Sequence, residues 1–308
     1  MPGVEYIAGG ATQNSVRVAQ WMLPAGSACY MGCVGKDAFA DKMAATCRDA
    51  DGVDARYMVD PSAATGTCAV CVVGGERSLV ANLAAANNFK VDFLNRPENL
   101  AALDRARIVY SAGFFITVSP ESIAACREHC ASAPAPGGAK KAYCMNISAP
   151  FIVQVPPFKK VLLDSMPYVD FLFGNETEAR ALADAEAWGT QDVAEIARRA
   201  ACLPRAAGVA QPRVVVFTQG ADATVVATGP AAGAAGGGEA AVEAFDVPAV
   251  PKAEIVDTNG AGDAFVGGFL AQLARGQPVA ECVRAGHYAA GVVIRRSGCT
   301  FPAKPDFE

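Results

Sequence analysis

Four short, nearly unbroken apolar runs constrain this chain more than anything else in it. Arg107–Gly113 (RIVYSAG), Tyr143–Ile147 (YCMNI), Tyr168–Phe173 (YVDFLF) and Arg213–Thr218 (RVVVFT) are rich in β-branched and aromatic residues and stop at or beside Gly, Asn or Thr. A strand with one wet face alternates apolar and polar residues; a run without alternation must be covered on both faces, as in a parallel sheet. Helix-like stretches lie between them at Glu121–Cys130, Glu176–Asp184 and Asp192–Leu203. This rhythm predicts an α/β fold, a doubly wound, mostly parallel sheet flanked by helices, with ligand residues at the carboxyl ends of the strands. At 308 residues and 52% apolar composition the chain can bury such a core as a single domain, 1–308.

Two regions break the rhythm. Residues 63–86 carry Gly66, Gly74 and Gly75 between β-rich runs and read as a small antiparallel excursion, a candidate lid. Residues 229–241 (GPAAGAAGGGEAA) offer little side chain to pack and read as a flexible low-complexity insertion without chemistry.

Composition excludes several classes. Lys plus Arg (26) against Asp plus Glu (31) gives a net charge of −5, so no nucleic-acid backbone is attracted to the chain as a whole. No run of about eighteen uninterrupted apolar residues exists and no basic-then-apolar leader precedes the fold, so a membrane partner is not expected and a cytoplasmic location is. Eleven cysteines scattered through candidate core segments suit a reducing compartment. Cys68 and Cys71 have metal-like spacing but fall in a strand-like run, where an odd separation sends the side chains to opposite faces. Cys126 and Cys130 lie i, i+4 on a helix next to His129, with no second ligand pair at zinc-like spacing, and read as ordinary thiols.

The chemistry is concentrated in Ile255–Leu270, IVDTNGAGDAFVGGFL. Its Gly-Ala-Gly turn opens an apolar helical run, so backbone N–H groups at a helix start can converge on an anion without obstruction. It lacks both the Gly-Lys-Ser/Thr of a P-loop and the GxGxxG of a dinucleotide fold. Asp263 follows directly, in the first helical turn, where an ionised carboxylate can take the proton of a hydroxyl. Amides that stabilise a moving phosphoryl group beside a carboxylate that activates an alcohol make a phosphoryl-transfer pair. The competing account is a helix cap beside a tight glycine turn.

This string resembles the signature of the ribokinase-like family of sugar and nucleoside kinases, and is similar in particular to the branch that acts on adenosine. The resemblance runs from about residue 4 to Phe307, apart from the alanine-glycine insertion. It implies ATP-dependent phosphorylation of the adenosine 5′-hydroxyl by a monomer, with ATP, Mg2+ and a K+ ion as cofactors. Asp263 would be the general base, the amides of Gly260, Ala261 and Gly262 the anion hole, and Asn259 a contact to the nucleoside base. The first ten residues would join 63–86 in the lid. Another sugar or nucleoside kinase, or a nucleoside-binding protein without turnover, are the rival readings.

Further segments gain meaning beside that motif. Asn175-Glu-Thr-Glu178 places an amide and a carboxylate on one face of a helix start, where Glu178 can hold Mg2+ through water; a plain helix start with an acidic face is the alternative. Thr218 and Gly220 end a buried strand where ATP would bind by resemblance, and His287 would border its adenine, though a packed histidine explains the sequence equally. Gly10 and Asn14 stand at a helix entrance, as a turn and polar cap or, by resemblance, as readers of ribose hydroxyls. Arg77 lies on the candidate lid, either balancing charge on the phosphoryl group or sitting in a surface ion pair. Leu79, Ala81 and Leu83 alternate as an apolar roof over a purine would, and Phe115 and Phe151 could stack on it. The resemblance also implies a strand and lid segment upstream of the Gly-Gly motif, with an aspartate on the ribose. The chain begins at Met1, so a shortened gene model is expected, with a binding cost of about 1.5 to 3 kcal/mol.

Overall fold

Gly10 turns the chain into its first helix at φ 112°, a backbone angle that a side chain would resist. The computed structural model describes residues 4–73, 76–209, 211–230 and 238–307, and not the side chains of residues 71–73, 76 and 77. The chain forms two compact units, Met1–Phe93 with Val250–Glu308, and Leu94–Ala249.

In the first unit, residues 4–9 carry neither helix nor strand and lead into α1 (Ala11–Trp21), buried along most of its length. β1 (Cys29–Gly35) follows, then α2 (Ala38–Ala44), started by Asp37, whose carboxylate accepts from the N–H groups of Phe39 and Ala40. A π-helical stretch, Ala45–Ala50, carries α2 on towards β2 (Asp54–Asp60), which pairs in parallel with β1 from Cys29↔Asp54 to Gly35↔Asp60. β3 (Thr67–Val73) and β4 (Glu76–Asn82) form the expected antiparallel excursion, in register from Thr67↔Asn82 to Val73↔Glu76. The short α3 (Val91–Leu94) runs to the boundary between the units.

The second unit opens with α4 (Pro97–Arg105), β5 (Ile108–Ala112), α5 (Pro120–Ser132) and β6 (Ala142–Asn146). It continues with α6 (Pro150–Gln154), α7 (Pro156–Ser165), β7 (Phe171–Asn175), α8 (Glu176–Ala185) and α9 (Val193–Ala201). β8 (Val214–Gln219), β9 (Asp222–Thr228) and β10 (Ala241–Phe245) complete it. Helices α4 to α7 each begin with proline in the first turn, where its missing N–H costs nothing. The sheet order is β10-β9-β8-β7-β6-β5: β5 to β8 are parallel, β9 and β10 antiparallel. Cys144, Met145, Leu172, Phe173, Val215 and Val216 are sealed from solvent, as runs covered on both faces must be. The run at Tyr168 starts as a strand only at Phe171, because Met166–Tyr168 forms a 3-10 turn around Pro167. The insertion joins β9 to β10; residues 231–237 of it lie outside the described residues.

Two buried cations stand at the entrances of this sheet. Lys141 donates to the carbonyls of Leu103 (3.0 Å), Asp104 (2.6 Å) and Ala106 (2.8 Å), closing the end of α4. Arg213 donates to the carbonyls of Ala200 and Leu203 (both 2.9 Å), Pro204 (3.1 Å), Val169 (3.2 Å) and Met166, tying the end of α9 to the start of β7. Each satisfies helix-terminal acceptors with a charge of the sign that the helix dipole favours.

The chain returns to the first unit for α10 (Ala261–Ala274) and α11 (Val279–Val293). The paired glycines inside α10 let its neighbours approach. A methyl group at Gly267 would stand 2.6 Å from the Ser15 carbonyl of α1, and one at Gly268 would stand 2.4 Å from the Ala285 carbonyl of α11. The resulting three-helix core holds Val18, Trp21, Ala264, Ala271, Ala285 and Ala289.

Candidate active site

The signature string folds as a tight turn followed by a helix start. Gly260 takes the left-handed conformation, φ 78°, and caps α10. Buried Asp257 shapes the turn, one carboxylate oxygen accepting from the Asn259 N–H (2.9 Å) and the other from the Gly298 N–H (3.0 Å). Among the predicted amides, the Ala261 N–H closes weakly onto the Thr258 carbonyl at 3.3 Å. A methyl group at Gly262 would meet nothing within 4 Å, so the mouth of the turn is open there. The first amides of a helix have no carbonyl of their own helix to meet, and they carry the positive end of its dipole.

Asp263 projects from this first turn, and its Oδ2 accepts a hydrogen bond of 2.9 Å from Nδ2 of Asn14. Close packing of α1 on α10 brings together two residues 249 positions apart, a contact that no local pattern announces. Asn14 is buried, and its Oδ1 has no hydrogen-bond partner among the described residues; Nδ2 of Asn259 has none either. An unclaimed buried acceptor on the side chain that holds Asp263, and an unclaimed buried donor on the glycine turn, call for a polar ligand or ordered water. Gly10 holds the entrance of α1, where its carbonyl accepts from the Asn14 N–H at 2.8 Å. Gln13 braces the same turn, with Nε2 on the Gly9 carbonyl (2.8 Å) and Oε1 on the Tyr57 hydroxyl (2.6 Å).

On the antiparallel pair, Leu79 faces Val70 and Ala81 faces Cys68 across the strands, and Leu79 is 54% exposed. Leu83 lies one residue past the end of β4. The Arg77 backbone pairs with Val72, and its side chain lies outside the described residues. His287, half-buried on α11, packs its ring 5.5 Å from that of Phe265, and burial lowers its pKa below the usual imidazole value.

The second unit gathers its candidates at strand ends. Asn175 and Thr218 are direct neighbours across parallel β7 and β8, at the carboxyl edge where open α/β sheets take ligands. Asn175 and Glu178 form a reciprocal capping box: Asn175 Oδ1 accepts from the Glu178 N–H (2.9 Å), and Glu178 Oε2 accepts from the Asn175 N–H (3.0 Å). Glu178 Oε1 accepts a further bond from Asn175 Nδ2 at 2.9 Å. Burial raises the pKa of Glu178 to about 7. Gly220, at φ 62°, makes the turn between β8 and β9. Phe151 approaches Phe114 (6.1 Å between centroids) and Phe158 (6.2 Å); Phe114, exposed beside the half-buried Phe115, was not singled out by sequence because adjacent aromatics give no clue to which one faces out.

No cluster of three metal-ligating side chains exists among the described residues. Magnesium commonly keeps several waters and leans on substrate phosphates, so such a cluster is not required. The buried, doubly engaged Glu178 carboxylate fits a role through water better than direct ligation. Cys126 and Cys130 are free and buried on α5, and burial pushes the Cys126 thiol up to about 12. Cys68 is free and exposed, while the Cys71 side chain lies outside the described residues.

The pattern of the pfkB family carbohydrate kinases matches residues 1–306. Adenosine kinase 2 of Arabidopsis thaliana is 52% identical over 305 residues, spanning 99% of this chain and 83% of that relative. Adenosine kinase of Schizosaccharomyces pombe is 41% identical over 303 residues, with 98% and 83% covered. Among solved structures, Anopheles gambiae adenosine kinase in complex with P1,P4-di(adenosine-5) tetraphosphate matches with a TM-score of 0.87 at 45% identity, over 98% of this chain and 84% of that one. Schistosoma mansoni adenosine kinase in complex with 2-fluoroadenosine matches at 0.86 and 30% identity, over 98% and 83%. Matched over residues 1–306 by that pattern, and half identical over nearly its whole length to one of these relatives, the chain belongs to the pfkB family of carbohydrate kinases.

Proposed function

We propose that this chain transfers the γ-phosphoryl group of ATP to the 5′-hydroxyl of adenosine, giving AMP and ADP. The observation that carries the reading is the Asp263 carboxylate, oriented by Asn14 at the open first turn of α10, in a chain half identical to an adenosine kinase. Asp263 takes the proton of the 5′-hydroxyl as the new O–P bond forms. The bond from γ-phosphorus to the bridging oxygen breaks, its electron pair leaves with ADP, and the proton passes from Asp263 to solvent. The amides of Gly260, Ala261 and Gly262 stabilise the charge on the moving group; Ala261 exchanges its weak turn bond for the anion.

In this reading Gly10 and the unclaimed Oδ1 of Asn14 take ribose hydroxyls, and Nδ2 of Asn259 meets the purine. Leu79, Ala81 and Leu83 cover the purine from the lid, Phe115 and Phe151 offer aromatic faces, and Arg77 brings a positive charge to the phosphates. Thr218, Gly220 and His287 serve ATP. Asn175 and Glu178 would order the water around a bound Mg2+, which would supply positive charge to the phosphates; a K+ ion belongs to the same proposal.

The test is a substrate panel. Purified chain with ATP and Mg2+ is offered adenosine, ribose and fructose in turn, and ADP and phosphorylated product are measured. Adenosine should be converted to AMP with the highest kcat/KM. Preferential turnover of ribose or fructose would move the activity to another sugar kinase, and calorimetric adenosine binding with no ADP formed would make the chain a binding protein.

A further inference from the structure

Beneath the glycine turn lies a buried cation that the reaction as described does not use. Arg17 stands on α1 one turn beyond Asn14, 4% exposed. Its Nε is 2.5 Å from Oδ2 of Asp51, itself 10% exposed. Its Nη1 donates to the Ala8 carbonyl at 3.0 Å and to the Cys299 carbonyl at 3.1 Å, and its guanidinium lies 5.4 Å from the centre of the Phe301 ring.

The two carbonyls belong to the two segments that shape the site in this unit. Ala8 leads directly into Gly9 and Gly10, the entrance that positions Asn14. Cys299 follows Gly298, whose N–H is bound by Asp257, the residue that shapes the Asn259–Gly260 turn. Cys299 also packs under that turn: a methyl group at Gly260 would stand 3.3 Å from its Cβ. Burial pushes the Cys299 thiol up to about 12, with Arg17 lowering it and Asp263 and Asp51 raising it. One guanidinium therefore ties the ribose-side entrance to the anion-side turn. A buried ion pair is a poor source of net stability, since replacing both partners with apolar groups is often neutral. What Arg17 supplies that an apolar residue would not is a three-way, directional tie.

We infer that Arg17, neutralised by Asp51, is a positioning residue for phosphoryl transfer, holding the Ala8–Gly10 entrance and the Ser297–Thr300 loop in the register that aligns Asn14, Asp263 and the glycine turn. The inference rests on the kinase reading for its kinetic consequence and on the geometry alone for its structural one.

The test compares Arg17→Met and Arg17→Lys with the parent chain. Arg17→Met should lower adenosine kcat about tenfold to a hundredfold, the effect of losing hydrogen bonds from a charged group. Arg17→Lys keeps the charge but not the fork, and should recover only part of the loss. Amide exchange at Asn14, whose N–H is held by the Gly10 carbonyl, and at Gly298, whose N–H is held by Asp257, should quicken at least tenfold while the interior of α10 stays protected. Unchanged exchange at those two amides, exchange that rises equally in α10, or full turnover by Arg17→Met would each overturn the inference. If the parent chain converts no adenosine, the kinase reading fails, and the exchange pattern still decides whether Arg17 ties the two segments.

Discussion

Replacing Asn14 with alanine isolates the contact on which the catalytic geometry turns. The substitution removes Nδ2, which donates to Asp263 Oδ2 at 2.9 Å, and the Oδ1 assigned to ribose. A hydrogen bond to a charged group is worth about 1.5 to 3 kcal/mol, and each 1.4 kcal/mol is a factor of about ten in rate, so a loss of roughly tenfold to 150-fold in kcat/KM follows. The partition between constants tells the two functions apart. Loss of carboxylate orientation acts on the transition state and lowers kcat; loss of a ribose contact present throughout raises KM. Both should move. Steady-state kinetics with adenosine as the varied substrate at saturating ATP measures the split, and Asn14→Asp should be the more damaging variant because it sets a second carboxylate against Asp263. A kcat for Asn14→Ala within threefold of the parent value would refute the orienting role.

Three further outcomes follow from the same geometry. Gly260→Ala forces a side chain into the left-handed region at φ 78° and against Cys299, so it should abolish most turnover while lowering stability by only about 1 to 2 kcal/mol, read by kinetics beside urea unfolding. Arg213→Met should lower stability by at least about 3 kcal/mol, because it strands buried carbonyls at the end of α9 and ahead of β7; thermal unfolding reads this. His129 and His287 both have pKa values lowered by burial, so below pH 6.5 the unfolded chain takes up protons that the folded protein refuses. Stability should therefore fall as pH drops below that point and level off above it, and His287→Gln should flatten the fall in denaturant titrations.

The parts of the fold that were legible in the sequence are those set by local burial. The unbroken runs at 107–113, 143–147 and 213–218 became β5, β6 and β8 because only a two-sided covered strand tolerates such composition. The glycine string announced a helix start, and Gly260 and the first turn of α10 realise it. What the sequence hid depends on contacts between distant segments. The Asn14–Asp263 bond requires α1 to lie on α10, and the key is Gly267, whose role as a contact point looks like ordinary helix composition. Arg17 looks like a polar residue on an amphipathic helix until Asp51, Ala8 and Cys299 surround it. Asn175 and Glu178 show a different limit: the spacing that suits a metal site is also that of a capping box, and the side chains do form the box.

The most direct measurement is single-turnover phosphorylation of adenosine by Asp263→Asn, an isosteric change that keeps the Asn14 neighbour and removes the proton acceptor. General-base catalysis contributes about a hundredfold to ten-thousandfold, so the rate of the chemical step should drop by at least a hundredfold, with adenosine and ATP affinity within a few-fold of the parent. A chemical step at the parent rate in a variant of unchanged stability would show that the proton leaves by another route, and the account of this site would be wrong.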